Sequence, residues 1–163
     1  MGVIMVVETH MKPIANYPNY QIDNAGNVYS IAWNKFRLLK PIPTHDGYYR
    51  VCLCKDNNKK ILSIHRLVWE TYVGPVPAGK QIDHIDRDKT NNSLSNLRLV
   101  SPQQNRFNTN SKGYTKNNNS NINPWKAKIR VGKKTIHLGC FPTEEQAHNA
   151  YLEAKKVYHI IDE

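Results

Sequence analysis

The stretch from Asp83 to Asn105 contains the residue types that metal-assisted hydrolysis of a phosphate ester requires. Carboxylate and amide oxygens are hard donors of the kind that hold Mg²⁺ in proteins. A cation held in this way neutralises charge on a phosphodiester, and a neighbouring base can activate water. An imidazole has an ordinary pKa of about 6.5 and can take up a proton at neutral pH. Asp83 and Asn105 are therefore candidate metal ligands, and His84 is a candidate general base.

Two strands and a helix are predicted to position these residues. Residues 81–85 and 97–100 have the composition of short strands, and a polar loop separates them. A helix start follows, marked by an N-cap residue, a proline in the first position and a glutamine in the third: Ser101, Pro102 and Gln104. Asn105 then lies at the end of the first helical turn. Strand, loop, strand and helix can bring Asp83 and Asn105 to a common point.

Two simpler interpretations compete with a metal site. An isolated Asp-His pair is more often a surface feature than a site. The loop after His84 also resembles a calcium-binding loop, with oxygen donors at Asp86, Asp88, Thr90 and Asn92. Such a loop requires Gly at its sixth position and Glu at its twelfth, where this chain has Asn91 and Leu97. The calcium interpretation therefore fails.

The formal net charge of +10 is concentrated in one part of the chain. Acidic residues lie at or before Asp88 and at or after Glu144. The basic residues between them are Lys89, Arg98, Arg106, Lys112, Lys116, Lys126, Lys128, Arg130, Lys133 and Lys134. A long span of one sign favours a polyanionic partner, and nucleic acid is the commonest. Solubility alone is the alternative explanation.

Hydrophobic periodicity predicts an α+β fold. Apolar residues alternate with polar or small ones at Tyr49, Val51 and Leu53, and turn signals at residues 24–26 and 45–47 suggest an antiparallel β region. Ser63 can cap a helix that ends at Gly74. Residues 105–123 are rich in Asn and are predicted to be a polar linker.

A second, smaller module is predicted after the linker. The apolar residues Trp125, Ala127, Ile129 and Val131 alternate with the basic residues Lys126, Lys128 and Arg130. This pattern predicts a strand with one apolar and one basic face. Thr143 and Gln146 form a capping box before a helix with small residues on one stripe. The module therefore consists of a small sheet packed on a helix.

Composition excludes several classes of protein. The sequence has no run of eighteen apolar residues, which argues against a membrane span. The first ten residues lack the basic start of a secretory signal. Three cysteines, Cys52, Cys54 and Cys140, do not provide a disulfide framework. We therefore expect a cytoplasmic protein that binds no membrane.

The central stretch resembles the HNH homing endonucleases of phage introns and freestanding genes. The matching residues are Asp83-His84, Asn91-Asn92, Asn96-Leu97-Arg98 and Asn105, together with His65-Arg66-Leu67-Val68 and Gly74-Pro75-Val76-Pro77 upstream. The resemblance implies a ββα-metal nuclease core with His84 as general base and Asp83 and Asn105 as metal ligands. It also implies that Asn96 braces the loop by hydrogen bonds.

The resemblance extends to the choice of ion. Some relatives bind zinc through a histidine on the helix or through Cys-x-x-Cys pairs, and this chain has neither. Mg²⁺ or Mn²⁺ is therefore favoured over Zn²⁺. No small-molecule organic cofactor is expected.

Two flanking resemblances complete the expected organisation. Residues 12–30 resemble the NUMOD-type segment that precedes such nucleases, and residues 113–159 resemble the ethylene-response-factor DNA-binding domain of plants. The expected divisions are a β segment at 11–58, the nuclease core at 59–110, the linker at 111–123 and the DNA-binding module at 124–159. The expected DNA contacts are Arg98, Arg106, Trp125, Lys126, Lys128, Arg130, Lys133 and Lys134. For Trp125, a place in the core is an equal alternative.

The sequence thus predicts a metal-dependent endonuclease that hydrolyses double-stranded DNA, as a monomer or a homodimer, in the host cell of a phage or mobile element. Lysine in place of arginine at positions 126 and 128 loses the bidentate contact to guanine. Two alternatives remain open: a DNA-binding regulator that does not cleave, and an RNA-binding protein associated with an intron. The target sequence, and the choice between a nick and a double-strand break, are not predicted.

Overall fold

The computed structural model describes residues 11–32, 35–118 and 121–161. Small antiparallel sheets and short helices make up the fold, which confirms the predicted α+β class. The chain divides into an N-terminal unit, residues 1–99, and a C-terminal unit, residues 100–163. No helix within the described ranges has the length and apolar character needed to cross a membrane. The first ten residues, for which no secretory signal was expected, lie outside the described part.

Two antiparallel sheets form the first half of the N-terminal unit. The first contains, in order, β1 (Lys12–Ile14), β2 (Tyr17–Ile22), β3 (Val28–Ser30) and β4 (Arg37–Leu38). The second contains β5 (Ile42–Pro43), β6 (Tyr49–Lys55) and β7 (Asn58–Ser63). The predicted turn signals at residues 24–26 and 45–47 lie between β2 and β3 and between β5 and β6.

The second half of the N-terminal unit contains the predicted nuclease elements. Helix α1 (Ile64–Tyr72) buries Ile64, Leu67 and Val68, although the side chain of Ser63 makes no capping hydrogen bond. Strand β8 (Gln81–His84) pairs with β9 (Leu97–Val100), and a 3-10 helix (Leu94–Asn96) leads into β9. This arrangement matches the strand, loop and strand that the sequence predicts.

A single core joins both halves of the N-terminal unit. Its buried side chains come from the first sheet, β6, α1 and β9, and they are Ile14, Ile22, Val28, Val51, Leu53, Ile64, Leu67, Val68 and Leu97. The boundary expected between residues 58 and 59 therefore does not separate two cores. The apolar side chains of the first sheet and of β6 therefore pack in the same core as those of α1.

The C-terminal unit contains a three-stranded sheet covered by a helix. Its elements are α2 (Pro102–Phe107), β10 (Tyr114–Lys116), β11 (Trp125–Val131), β12 (Lys134–Phe141) and α3 (Glu144–Tyr158). The core consists of Ile129, Tyr151 and Ala154, with partly buried aliphatic residues around them. Thr143 caps α3 by accepting the backbone N–H of Gln146 at 3.2 Å.

The expected linker differs from the structure at β10. Tyr114–Lys116 pair antiparallel with residues 125–127 and so form an edge strand of the sheet. Gly113 precedes them with φ of 72°, and a Cβ at this position would lie 1.9 Å from the Tyr151 ring. Glycine is therefore required for the close approach of this backbone to α3. The polar composition of residues 105–123 concealed a strand of only three residues.

Candidate active site

Asp83 lies buried on β8 and is bound by an arginine from β9. The Arg98 guanidinium donates to the Asp83 Oδ2 atom from Nε and from Nη2, each at 2.9 Å. Two charge-assisted hydrogen bonds fix the carboxylate in one orientation. Arg98 was expected to contact DNA, which stays a prediction, and the structure shows that its guanidinium holds the predicted metal ligand. The net positive charge of the central stretch did not indicate that Arg98 pairs with Asp83.

His84 is also buried, with 4% of its surface exposed. Its Nε2 atom lies 3.2 Å from the Oδ1 atom of Asn92, which is itself buried. The Asn92 Nδ2 atom donates to the Thr90 carbonyl oxygen at 3.0 Å. Asn92 appeared in the sequence motif without an assigned role, and the structure makes it a direct partner of the candidate base.

Asn96 makes the hydrogen bonds of a loop brace. Its Nδ2 atom donates to Asp86 Oδ1 at 2.9 Å and to the Asn91 carbonyl oxygen at 2.8 Å. Its Oδ1 atom accepts the Asp86 N–H at 3.1 Å. The side chain thereby joins both ends of the loop between β8 and β9. This geometry supports the predicted scaffolding role.

The acidic residues of this loop are occupied by local hydrogen bonds. The Asn91 side chain, followed by Asn96, lowers the pKa of Asp86. The hydroxyl and the backbone N–H of Thr90 lower the pKa of Asp88. These carboxylates therefore organise the loop, as expected from the failure of the calcium-loop pattern.

Tyr48 and His65 form an aromatic wall beside His84. The His65 ring meets the His84 ring edge to face with centroids 5.4 Å apart, and the Tyr48 ring lies 5.1 Å from His65 and 5.8 Å from His84. Burial, followed by the charge of His84, lowers the pKa of His65 to about 4. Burial, followed by the charges of Asp46 and Asp83, raises the pKa of Tyr48. Both side chains are therefore neutral at pH 7.

Sequence reasoning missed this wall. His65 was noted only as part of a motif, and Tyr48 carried no signal because its position depends on the fold. The Nδ1 atom of His65 is buried without a hydrogen-bond partner. Desolvation of that nitrogen explains why the ring stays unprotonated.

Asn105 lies on α2, in the C-terminal unit. The helix begins as predicted, because Ser101 accepts the Gln104 N–H at 3.2 Å and the Gln104 side chain accepts the Ser101 N–H at 2.9 Å. Asn105 is half-buried, and its own N–H donates to the Ser101 carbonyl oxygen at 2.9 Å. Asp83 and His84 belong to the N-terminal unit, so a shared metal site with Asn105 stays a prediction.

The residue types fit a hard divalent cation. Across residues 11–32, 35–118 and 121–161, no three His, Cys, Asp or Glu side chains form a cluster that could hold a metal. The candidate ligands are one carboxylate, from Asp83, and one amide, from Asn105. Mg²⁺ is commonly held by one or two protein oxygens, with water and substrate phosphate completing its shell. The two predicted donors are therefore of the oxygen type that Mg²⁺ prefers.

One face of β11 carries exposed basic residues, as predicted. Lys126, Lys128 and Arg130 are exposed, whereas Ala127 and Ile129 are buried against the helix side. Lys133 and Lys134 are exposed at the turn that follows. Arg106 lines a cleft of about 540 Å³ in the C-terminal unit, together with Lys112, Lys128 and Arg130.

Trp125 shares the opposite face of β11. It alternates with the exposed basic residues and is half-buried, and its ring meets the Tyr114 ring edge to face at 5.7 Å. This placement favours packing over the expected contact with DNA bases.

Comparison with known proteins finds two segments of the chain that match family models. Residues 63–107 match the family model described as HNH endonuclease, and residues 11–54 match the NUMOD4 motif. These matches confirm the HNH and NUMOD-type resemblances noted in the sequence, and the ethylene-response-factor resemblance of residues 113–159 stays a prediction. The first covers the site from His65 through Arg98 to Asn105.

Individual relatives carry the same description. The chain is 40% identical over 103 residues to the DNA endonuclease I-HmuI of Bacillus phage SP01, covering 63% of this chain and 58% of that protein. It is 41% identical over 93 residues to the uncharacterised HNH endonuclease L245 of Acanthamoeba polyphaga mimivirus, covering 57% of this chain and 28% of that protein. The chain thus spans less than two thirds of either relative.

A solved structure shares the fold. It is described as DNA binding and cleavage by the HNH homing endonuclease I-HmuI. The TM-score is 0.56 at 37% sequence identity, over 61% of this chain and 56% of that one.

Proposed function

We propose that this protein is a metal-dependent DNA endonuclease of the HNH homing type. One observation carries the proposal: a buried histidine, His84, follows directly on a buried carboxylate, Asp83, inside a segment that matches the HNH endonuclease model. Burying a carboxylate and an imidazole side by side is costly unless both are partnered. Arg98 and Asn92 provide those partners, so the pair is a built site rather than a surface coincidence.

The proposed reaction is hydrolysis of a phosphodiester bond in double-stranded DNA. His84 accepts a proton from water as the water oxygen attacks phosphorus. Asp83 and Asn105 would hold Mg²⁺ or Mn²⁺ against the phosphate. The bound ion supplies charge neutralisation at the phosphate and at the leaving oxygen. The neutral rings of Tyr48 and His65 pack beside His84.

The exposed basic face of β11 is proposed to hold the DNA. Lys126, Lys128 and Arg130 present three positive charges on one face of the sheet. The resemblance of residues 113–159 to the ethylene-response-factor domain supports the same surface. Lysine contacts phosphate as a point charge and lacks the fork that reads guanine. We therefore assign this face to positioning along the backbone, with Arg106, Lys133 and Lys134 extending the positive surface.

Cleavage of plasmid DNA tests the proposal. Purified protein is incubated with a supercoiled plasmid library in Mg²⁺, in Mn²⁺ and in EDTA, and the cut ends are mapped by sequencing. We expect nicked or linear products in both metals and intact plasmid in EDTA. Binding with no cut in either metal would instead support a DNA-binding regulator, and preference for structured RNA would support an intron-associated RNA-binding protein.

The mapped ends also test the oligomeric state of the protein and whether it is of the homing type. A monomer with one site is expected to nick one strand per binding event, whereas a homodimer can cut both. The phage and viral origin of the relatives supports action inside an infected host cell. Cuts at one preferred sequence would support the homing type, and random cuts would argue against it.

A further inference from the structure

We propose that Asn92 is a positioning residue for His84, and that the N-terminal turn at residues 23–27 holds Asn92 in place. The inference rests on the proposed function, because it assigns the atom of His84 that accepts the proton. It also gives the NUMOD4-matching segment a direct part in the nuclease site. The contacts that carry it lie within the N-terminal unit.

The orientation of the Asn92 amide determines the hydrogen position on His84. The Asn92 Nδ2 atom donates to the Thr90 carbonyl oxygen at 3.0 Å, so the other amide atom, Oδ1, faces His84. An amide oxygen only accepts hydrogen bonds. The His84 Nε2 atom, 3.2 Å away, must therefore be the donor. The neutral ring then carries its hydrogen on Nε2 and its lone pair on Nδ1.

This tautomer assigns the chemistry to the Nδ1 atom. As a water O–H bond breaks, its proton forms a bond to Nδ1 of His84. The water oxygen forms a bond to phosphorus, and the bond from phosphorus to the leaving oxygen breaks. The Nε2–H bond to Asn92 persists through the step and stabilises the imidazolium that forms. An orienting partner on the second nitrogen is how proteins select a histidine tautomer.

The N-terminal turn lies directly against Asn92. Gly26 has φ of 91°, and a Cβ built there would meet the Asn92 Cβ at 2.9 Å and the Asn92 carbonyl oxygen at 3.3 Å. Two residues after Asn92, the Leu94 N–H donates to the Asn24 carbonyl oxygen at 2.8 Å. The turn thus contacts the loop at Asn92 and two residues later. Asn92 has little freedom to move away from His84 while the turn keeps its shape.

A buried carboxylate makes the turn rigid. Asp23 is 1% exposed, and its Oδ1 atom accepts the N–H groups of Ala25 at 3.0 Å and Asn27 at 2.8 Å. Its Oδ2 atom accepts the Asn27 side chain at 2.9 Å and the Tyr29 hydroxyl at 3.3 Å. Burial, followed by Asp23, raises the pKa of Tyr29, so the phenol remains a donor. The carboxylate therefore holds Ala25 and Asn27 of the turn, and Tyr29 on β3, by direct hydrogen bonds.

Two measurements on the full-length protein test the inference. The first is the ¹⁵N spectrum of the histidine side chains at pH 8, in which His84 is assigned by its loss in His84→Ala. We expect the Nε2–H tautomer in the wild-type protein and a tautomer mixture in Asn92→Ala. The second is single-turnover cleavage in Mg²⁺. Asn92→Ala should slow it by about 10- to 100-fold, the range seen for orienting partners of site histidines.

Matched variants separate positioning from general damage. Asn92→Asp keeps an acceptor for Nε2 but loses the donor to the Thr90 carbonyl oxygen, and it should restore the Nε2–H tautomer that Asn92→Ala loses. Gly26→Ala places a methyl group against Asn92 and should slow single-turnover cleavage by at least about fivefold, since small displacements at a site cost rate steeply. Gly79→Ala is its control, because Gly79 has a similar φ of 79° but nothing within 4 Å of an added Cβ.

Several outcomes would overturn the inference. These are an Nδ1–H tautomer in the wild-type protein, an unchanged His84 spectrum and rate in Asn92→Ala, or equal rates for Gly26→Ala and Gly79→Ala. The wild-type spectrum depends on the His84→Ala assignment alone, and it requires neither the Asn92 and Gly26 variants nor cleavage. Failure of the proposed function would appear differently, as DNA binding without cleavage by the wild-type protein in either metal, and it would leave the tautomer measurement intact.

Discussion

Arg98 donates from both Nε and Nη2 to one oxygen of Asp83, and this ion pair connects β9 to β8 within the candidate site. The Asp83 side chain is 8% exposed and that of Arg98 is 25% exposed. Removing one partner of a buried ion pair leaves an uncompensated charge, which costs more than the pair itself contributes. The pair is therefore part of the site's structure, although the sequence suggested a DNA contact.

The first prediction is that Arg98→Ala destabilises the protein. We expect the free energy of unfolding to fall by about 3 kcal/mol, because Asp83 is left buried without its cation. Chemical denaturation at pH 7.5 measures the change. Arg66→Ala is the control, since the Arg66–Glu70 pair is exposed and an exposed pair contributes at most about 1 kcal/mol. If the main role of Arg98 is to contact DNA, Arg98→Ala will leave the free energy of unfolding unchanged and will weaken the salt dependence of DNA binding.

The second prediction concerns the pH dependence of stability. Burial lowers the pKa of His65 from 6.5 to about 4. Between these values the unfolded chain binds a proton that the folded chain does not, so stability falls as the pH falls through this window. His65→Phe keeps a ring beside Tyr48 and His84 but cannot titrate. The loss of stability between pH 7.5 and 4.5 should therefore be smaller in the variant by about 2 kcal/mol.

Denaturant unfolding at a series of pH values measures this difference. His45→Phe is the control, because His45 is exposed and lies outside the wall. Parallel stability curves for wild type and His65→Phe would show that His65 protonates freely in the folded protein.

The third prediction concerns the basic face of β11. Replacing Lys126, Lys128 and Arg130 together with Ala should weaken DNA binding. The slope of log K against log salt should become shallower by about 2 to 3, because each phosphate contact releases about 0.9 of a counterion. Exchanging both lysines for arginine preserves the charge and should preserve the slope. A triple Ala variant with the wild-type slope would place the DNA elsewhere.

The fourth prediction concerns the ion. If Asn105 is a ligand, Asn105→Ala should raise the Mg²⁺ concentration for half-maximal cleavage by about tenfold or more. Loss of a ligand should lower metal affinity at least as much as loss of a residue that hydrogen-bonds to a ligand. Gln103→Ala, an exposed change on the same helix, should leave it unchanged. Calorimetric titration of Mg²⁺ provides a second readout without turnover. Equal Mg²⁺ midpoints for both variants would remove Asn105 from the metal site.

Local signals in the sequence predicted the elements well. The capping residues Ser101 and Thr143 begin helices where expected, and both accept the backbone N–H three residues later. The alternation in β11 gives one buried and one exposed face, as its residues indicate. These features depend on neighbours within a few positions, which the sequence displays directly.

Features that depend on distant residues could not be predicted in this way. Asp83 and Arg98 are 15 positions apart and meet through the pairing of β8 with β9. The contact of Gly26 with Asn92 joins residues that belong to different family matches. Strand β10 is too short for a periodic pattern and is held by its pairing with β11.

Cleavage by His84→Ala tests the central claim most directly. Wild type, His84→Ala and the exposed control His45→Ala are compared in Mg²⁺ on the same plasmid, and DNA affinity is measured alongside. We predict that His84→Ala keeps wild-type affinity and cleaves at least about 100-fold more slowly, the contribution of a positioned proton acceptor. The His45→Ala control should cleave normally. Cleavage by His84→Ala at the wild-type rate would contradict the assignment of His84 as the base.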